Sequence, residues 1–213
     1  MEMVKANKVS SSHWVLYLII RWLYFLLGIP ALLFYSVVCF SISDYHPEAY
    51  FWGWGCLLLL IAPCLWLYSK AISKKQRIKD VVQKIKDTGY YSPDKDYENI
   101  SLTHSTYFGI DIRKGTMLYV RIRPNNIMDI IGIDTHNFTR TVSDNKELKI
   151  YTKYVNMPVI PVTTLCTSPK VSADTMHAMA DRNYDYPLNF PRMVQEKRKE
   201  WEKIAGGPVA EVF

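Results

Sequence analysis

The sequence contains few of the groups with which enzymes carry out chemistry. Its 213 residues include four cysteines and five histidines, and the histidines stand singly at positions 13, 46, 104, 136 and 177. No G-x-S-x-G, Walker-A or H-E-x-x-H pattern is present, so the usual signatures of hydrolases, P-loop nucleotide enzymes and zinc peptidases are missing. We therefore expect no catalytic residues and no cofactor.

Metal and disulfide chemistry also find little support. Asp134 and His136 in "GIDTHNF" lie two residues apart, but they have no further histidine or cysteine nearby, so a surface turn is favoured over a metal site. The cysteines are far apart and predict no disulfide framework. They are Cys39, Cys56, Cys64 and Cys166.

Basic residues are absent from a long stretch near the N-terminus. Between Arg21 and Lys70 there is no lysine or arginine, and the only formal charges are Asp44 and Glu48. Residues 22–43 form a run of 22 without a formal charge, and residues 49–69 form a second run of 21. At about 1.5 Å per residue, each run matches the thickness of a bilayer's hydrocarbon core. We therefore predict two transmembrane helices, because buried helices of a soluble protein would show a polar face.

The basic residues that flank these runs predict their orientation. They are Lys5, Lys8 and Arg21 before the first run, and Lys70, Lys74, Lys75, Arg77, Lys79, Lys84 and Lys86 after the second. Basic flanks favour the cytoplasmic side of a membrane, so both termini are predicted to lie in the cytoplasm and the connecting loop outside.

The loop "FSISDYHPEAYFWG", residues 40–53, is the segment predicted to face outward. Its polar side chains are our candidates for contact with a partner, namely Asp44, Tyr45, His46 and Glu48. A simple turn that only fixes topology is the alternative interpretation.

Residues 70–86 hold seven basic residues and one acidic residue, a net charge of +6 that equals the net charge of the whole chain. Basic clusters beside a membrane attract anionic lipid, and the candidates here are Lys70, Lys74, Lys75, Arg77 and Lys79. Nucleic acid is the competing partner, but it is not expected, because interleaved aromatic residues and a DNA-binding motif are lacking. Ile78, Val81, Val82 and Ile85 form an apolar stripe at helical spacing. The stripe is predicted to pack on its own domain, or alternatively on a second copy.

The rest of the chain predicts an antiparallel meander followed by helices. After a linker over residues 87–99, half-buried strands are expected at 103–112, 116–123, 127–133, 138–142, 147–154 and 159–163. A helix within 171–184 would be capped by Ser172 and would face Met176, Met179 and Ala180 inward. A last helix over 191–204 would end at Gly206 and Gly207.

These elements predict an α+β protein in four parts. Residues 1–21 form a cytoplasmic segment, 22–69 a transmembrane hairpin with an external loop at 44–48, 70–88 a basic juxtamembrane helix, and 89–213 a cytoplasmic domain. A meander closed by a helix is similar to pleckstrin-homology-like barrels, and that likeness concerns the fold alone.

Three stretches of the sequence are similar to a known family: "YFGIDIRKGTMLYVRIRP", "IMDIIGIDTHNFTRTV" and "ELKIYTKYVNMPVIPV". With them the whole chain resembles the ExcA-type exclusion proteins of I-group conjugative plasmids. The resemblance implies residence in the bacterial inner membrane and the blocking of a second, like plasmid. It also implies recognition of a membrane component of the donor's transfer apparatus, and it brings no catalytic residues. A membrane-tethered scaffold that binds lipid headgroups or a cytoplasmic protein is the alternative, and an unrecognised membrane enzyme is a third.

Overall fold

The structure is a computed structural model that describes residues 19–101, 104–144, 147–163, 167–186 and 188–212. Contacts divide the chain between Lys70 and Ala71 into two compact units. Described residues of the N-terminal unit are helical apart from one turn. The C-terminal unit combines the end of the second helix with antiparallel sheets and shorter helices.

Two long helices form the N-terminal unit, and both contain a proline. Helix α1 spans Ile19–Ser41, and helix α2 begins in this unit and spans Pro47–Asp87. A π-helical turn, Tyr24–Gly28, lies just before Pro30, and the N–H of Ile29 donates to the Tyr24 carbonyl. Because proline has no N–H and its ring crowds the preceding turn, this wider turn lets α1 continue through Pro30.

Side chains of α1 reach the backbone of α2 at two levels. The Tyr24 hydroxyl donates to the Leu59 carbonyl at 3.0 Å. In an unbroken helix that carbonyl would accept from residue 63, but Pro63 has no N–H. Nearer the connecting turn, the Ser36 hydroxyl donates to the Gly53 carbonyl at 3.4 Å. The first of these bonds therefore supplies a donor that proline removed.

The apolar side chains of the two helices are largely exposed. Both helices are long and apolar enough to cross a membrane. Within the apolar 18-residue stretch of each helix, 11% of the α1 residues and 0% of the α2 residues are buried. Core helices of a soluble protein would be covered by other elements, so this exposure supports membrane association. Residence in the inner membrane, a transmembrane hairpin and cytoplasmic termini stay predictions.

The described strands of the C-terminal unit form two antiparallel sheets. The first has the order β1-β2-β3-β4, with strands Glu98–Ser101, Thr106–Asp111, Thr116–Ile122 and Met128–Asp134. The second has the order β5-β6-β7, with strands Phe138–Ser143, Leu148–Thr152 and Val159–Val162. Strands that follow one another within a sheet are paired directly, for example Gly109 with Leu118 and Tyr119 with Ile131. The predicted mixed α+β fold with antiparallel strands is thus confirmed, but the expected single meander is divided into two sheets. The pleckstrin-homology-like likeness stays a prediction.

The first sheet is the middle layer of this unit. Three shorter helices follow the strands, α3 at Pro169–Ala180, α4 at Phe190–Glu196 and α5 at Arg198–Ala205. On one face, Leu118 and Val120 of β3 pack with the apolar stripe of α2 and with Trp201 of α5. On the other face, Met117 and Tyr119 pack with the second sheet and α3. The stripe thus packs on its own domain.

Two expectations about the strands were wrong. Strand β1 begins at Glu98, inside the segment predicted as a linker, because it pairs with β2 and its four residues are too few for a clear alternation. Strand β3 was predicted to be half-buried, but six of its seven residues are buried, since both faces of the sheet are covered.

The helices also differ from the prediction in three respects. Ser168 caps α3, accepting a bond from the Val171 N–H at 3.2 Å, whereas Ser172 is buried inside the helix. Met176 and Met179 face inward, but Ala180 is exposed. The single helix expected over 191–204 is divided at Lys197 into α4 and α5, and α5 ends at Gly206 with a φ of +60°.

Candidate recognition surfaces

Three of the candidate residues, Asp44, Tyr45 and His46, lie on the short turn between the helices, whereas Glu48, predicted to belong to the loop 44–48, lies in the first turn of α2. Asp44, Tyr45, His46 and Glu48 are all exposed, and Tyr45 retains 84% of its accessible surface. The turn is compact because the N–H of His46 donates to the Ile42 carbonyl at 3.0 Å. The Ser43 hydroxyl donates to the carbonyl of Phe40 at 2.7 Å. The turn therefore presents a small polar surface, and its contact with a partner stays a prediction.

Aromatic rings next to the turn hold the ends of α1 and α2 together. Phe40 meets Tyr50 and Trp54 in edge-to-face contacts with ring centroids 5.9 Å apart in each case. A Cβ atom added at Gly53 would lie 3.0 Å from the Phe40 ring, so this close approach depends on glycine. Such contacts position the turn more firmly than its connecting residues alone would.

The basic residues predicted to face lipid differ in their surroundings. The ammonium of Lys70 lies 3.6 Å from the centre of the Trp66 ring, in a cation–π contact at an exposed part of α2. Lys79 is also exposed, whereas Lys74 and Lys75 are half-buried. Lipid contact by these four lysines stays a prediction.

Arg77 has a different role from these lysines. Its Nε donates to the carbonyl of Ala205, the last residue of α5, and its Nη1 donates to the Asn126 side chain at 2.6 Å. Both partners belong to the C-terminal unit, so the guanidinium fastens α2 to α5 and to the β3–β4 turn. Two donors of Arg77 are therefore bonded inside the domain, and its predicted contact with lipid stays a prediction.

A cleft of about 500 Å³ in the C-terminal unit was not anticipated from the sequence. Three segments line it: the residues after α2, the β2–β3 turn, and the connection from α3 to the start of α4. The lining residues are 89, 90, 113, 114, 116, 183–186, 188 and 190. We call it the tyrosine cleft, because Tyr90, Tyr184 and Tyr186 line it. In the sequence its only trace is the pair of tyrosines in "NYDYP", which has no helical or strand periodicity.

Two of these tyrosines attach the 183–186 segment to the β2–β3 turn. Tyr184 donates to the Ile112 carbonyl at 2.8 Å, and Tyr186 donates to the Gly115 carbonyl at 2.9 Å. Gly115 has a φ of +68°, and a Cβ atom there would lie 2.6 Å from Tyr184 and from the Tyr186 hydroxyl. The residue at this turn must therefore be glycine for both conformational and steric reasons.

Asp134 and His136, the one pair considered for a metal, form a turn. The Asp134 carboxylate accepts bonds from the backbone N–H groups of His136 and Asn137 at 3.0 and 2.9 Å. Among the residues that the structure describes, no group of three or more His, Cys, Asp or Glu side chains is placed to hold a metal ion. The turn interpretation of this motif agrees with these contacts.

Buried polar groups in and next to the first sheet are hydrogen-bonded. Asp129 has 2% of its side-chain surface exposed and accepts charge-assisted bonds from Arg121 at 2.8 Å and from Arg123 at 2.5 Å. The hydroxyls of Tyr91 and Tyr107 lie 2.8 Å apart. Burial raises the pKa of both tyrosines above the usual value for a phenol, so both stay neutral at physiological pH.

Together, these features define a protein with two apolar, membrane-compatible helices and an antiparallel α+β domain. The family model for an exclusion-determining protein matches residues 3–205, which include both long helices and all seven described strands. The chain therefore belongs to the family of exclusion-determining proteins, and this membership supports a role in plasmid exclusion. Searches of curated proteins and of solved structures found no match.

Proposed function

We propose that this protein prevents conjugative transfer of a like plasmid into a cell that already carries it, by recognising a membrane component of the donor's transfer apparatus. The family match over residues 3–205 is the observation that carries the proposal. The proposal includes the ExcA type of I-group plasmids, residence in the inner membrane with both termini in the cytoplasm, and action without catalysis or a cofactor.

Exposed apolar helices and the charge distribution support this placement. Each helix presents an apolar surface of the length that a bilayer requires. The turn between them has no lysine or arginine, whereas residues 70–86 carry seven basic residues and one acidic residue. Under the proposal, Lys70, Lys74, Lys75 and Lys79 contact anionic headgroups and fix the depth of α2.

Recognition of the donor component can follow two routes. In the first, the exposed turn with Asp44, Tyr45, His46 and Glu48 touches the incoming apparatus outside the membrane. In the second, the C-terminal domain binds a donor component that reaches the cytoplasmic side. The domain offers a larger surface, since it contains the tyrosine cleft of about 500 Å³.

A mating assay tests the proposed function directly. Recipients that express only this chain should receive the like plasmid at a lower frequency than recipients with an empty vector. A plasmid with an unrelated transfer system serves as the control and should enter both recipients equally. Equal frequencies for the like plasmid would contradict the proposal and favour the membrane-tethered scaffold.

The two routes are separated by a substitution confined to the turn. Asp44, Tyr45, His46 and Glu48 are exchanged for the residues of a different exclusion type, and the amount of chain in the membrane is checked by immunoblot. A change in which plasmid is excluded supports recognition by the turn. Unchanged specificity contradicts that route and assigns recognition to the rest of the chain.

A further inference from the structure

The walls of the tyrosine cleft are held in place by internal bonds. The hydroxyl groups of Tyr184 and Tyr186 are both used in bonds to the β2–β3 turn. The Lys114 ammonium donates to the Gly89 carbonyl at 2.5 Å, which connects the β2–β3 turn to the segment after α2. Because the walls are already ordered, a ligand would lose little free energy in arranging them.

Arg113 gives the cleft a cationic group that is accessible from solvent. Its side chain is 84% exposed, and its guanidinium is 3.8 Å from the Asp94 carboxylate, beyond hydrogen-bonding distance. A guanidinium has five N–H donors in a planar fork that fits a carboxylate in a bidentate geometry. Arg113 is therefore suited to a carboxylate on a ligand that enters the cleft.

Apolar and aromatic surface lies in the same cleft. Tyr90 and Leu188 line it and are 40% and 39% exposed, and the ring of Phe190 lies deeper. Exposed aromatic and aliphatic side chains beside an arginine are the composition that protein interfaces favour. This surface fits an apolar side chain next to the carboxylate.

The charges of the cleft narrow the class of ligand. Asp185 lines it together with Arg113 and Lys114, so the net charge of these three groups is +1. A phosphate ester would carry about two negative charges at neutral pH, so Asp185 would repel it more strongly than it would repel a single carboxylate. Asp94, 3.8 Å from the Arg113 guanidinium, brings the charge of the four groups to zero, so a ligand with one negative charge is favoured over a ligand with two.

We propose that the tyrosine cleft binds a protein segment in which an aspartate or glutamate adjoins an aromatic or aliphatic side chain, and that exclusion uses this contact. The inference rests on the proposed function and commits to the second route, recognition by the C-terminal domain. Arg113 binds the carboxylate, and Tyr90 and Leu188 contact the apolar side chain.

Charge reversal at Arg113 tests the contact in cells. Arg113→Glu should abolish exclusion in the mating assay, and Arg113→Lys should weaken it, because lysine cannot form the bidentate pair. The matched control is Lys153→Glu, which makes the same charge change at an exposed residue outside the cleft. Exclusion by Arg113→Glu at the wild-type level, with equal amounts of protein in the membrane, would overturn the proposal.

Peptide binding gives a second readout that does not depend on exclusion. The full chain in detergent micelles is probed with peptides of about 15 residues tiled across the membrane proteins of the plasmid's transfer region. Acidic–apolar peptides should bind. Their binding should fall at least tenfold with Arg113→Glu or after Asp→Asn exchange in the peptide, because hydrogen bonds to charged groups contribute about 1.5–3 kcal/mol. Tyr90→Ala should also weaken binding, because it removes the aromatic surface that contacts the apolar side chain.

The two assays separate a failure of the inference from a failure of the proposed function. If the wild-type chain does not exclude, the proposed function fails, and the peptides alone decide whether the cleft binds this class of segment. Binding that is equal in the wild type and Arg113→Glu, or no binding at all, would overturn the assignment of the cleft.

Discussion

Replacing Tyr24 with phenylalanine tests the hydrogen bond that compensates for Pro63. The Tyr24 hydroxyl donates to the Leu59 carbonyl at 3.0 Å, and Pro63 removes the donor that this carbonyl would otherwise have. Hydrogen bonds between transmembrane helices contribute about 0.6 kcal/mol on average and about 1.7 kcal/mol at most. Because the Leu59 carbonyl has lost its intrahelical partner, we expect Tyr24→Phe to destabilise the helix pair by about 1–1.5 kcal/mol.

A second substitution distinguishes this explanation from a general effect of the tyrosine. In Pro63→Ala, the new N–H of residue 63 can donate to the Leu59 carbonyl within α2. Tyr24→Phe should then cost less than in the wild type, by about 1 kcal/mol in a double-mutant cycle. The control is Tyr35→Phe, which removes a hydroxyl from the same helix at a residue that is 65% exposed.

Amide hydrogen exchange of the full chain in detergent micelles provides the measurement. Peptides that cover residues 56–66 should exchange about five- to thirteenfold faster in Tyr24→Phe, the ratio expected for a loss of about 1–1.5 kcal/mol of local stability. Tyr35→Phe should leave the rate unchanged. If Tyr24→Phe costs the same in the wild type as in the Pro63→Ala variant, the compensation by Tyr24 is refuted.

Three further predictions concern the C-terminal domain. Ser168→Ala removes the cap of α3 and should lower the stability of that helix by about 1 kcal/mol. Amide exchange in α3 should therefore become faster, and an unchanged rate would contradict the capping role. Arg77→Ala should lower the free energy of unfolding of the domain by about 2 kcal/mol, because its hydrogen bonds are lost. Lys79→Ala should change that free energy by no more than about 0.5 kcal/mol, as measured by thermal unfolding. Equal effects of the two substitutions would show that Arg77 behaves like a surface lysine. Because burial raises the pKa of Tyr91 and Tyr107, the unfolded state loses these protons above about pH 10 while the folded state retains them. Stability should therefore fall as the pH rises above about 10, and a denaturation midpoint that stays constant from about pH 9 to 12 would contradict this.

Local patterns predicted most of the elements. Uncharged runs on either side of residues 44–48 indicated the two long helices, because length and composition alone decide whether a helix can span a bilayer. Alternation in 148–152 indicated β6, whose Leu148 and Ile150 are buried while Lys149 is exposed. Gly206 ends α5 in the left-handed conformation that favours glycine. Each of these signals depends on neighbours in the chain.

The tyrosine cleft and the role of Arg77 depended on distant residues and could not be predicted in this way. Arg77 has the same charge as the adjacent lysines, and only the position of Ala205, 128 residues later, directs it into the domain. The break at Lys197 accompanies a local bond that helical periodicity does not reveal: the indole N–H of Trp201 donates to the Val194 carbonyl at 2.8 Å, and a continuous helix would have used that carbonyl itself.

By itself, the sequence determined the two apolar helices, their polar turn, the basic flank and the antiparallel strands, because hydrophobic period and charge are properties of neighbouring residues. Only the tertiary structure decided that the seven described strands divide into two sheets, that the stripe of α2 completes a core, and that Arg113 and the tyrosines share one cleft. A periodic pattern shows that a face is buried, but the elements that cover it are chosen by packing between segments far apart in the chain.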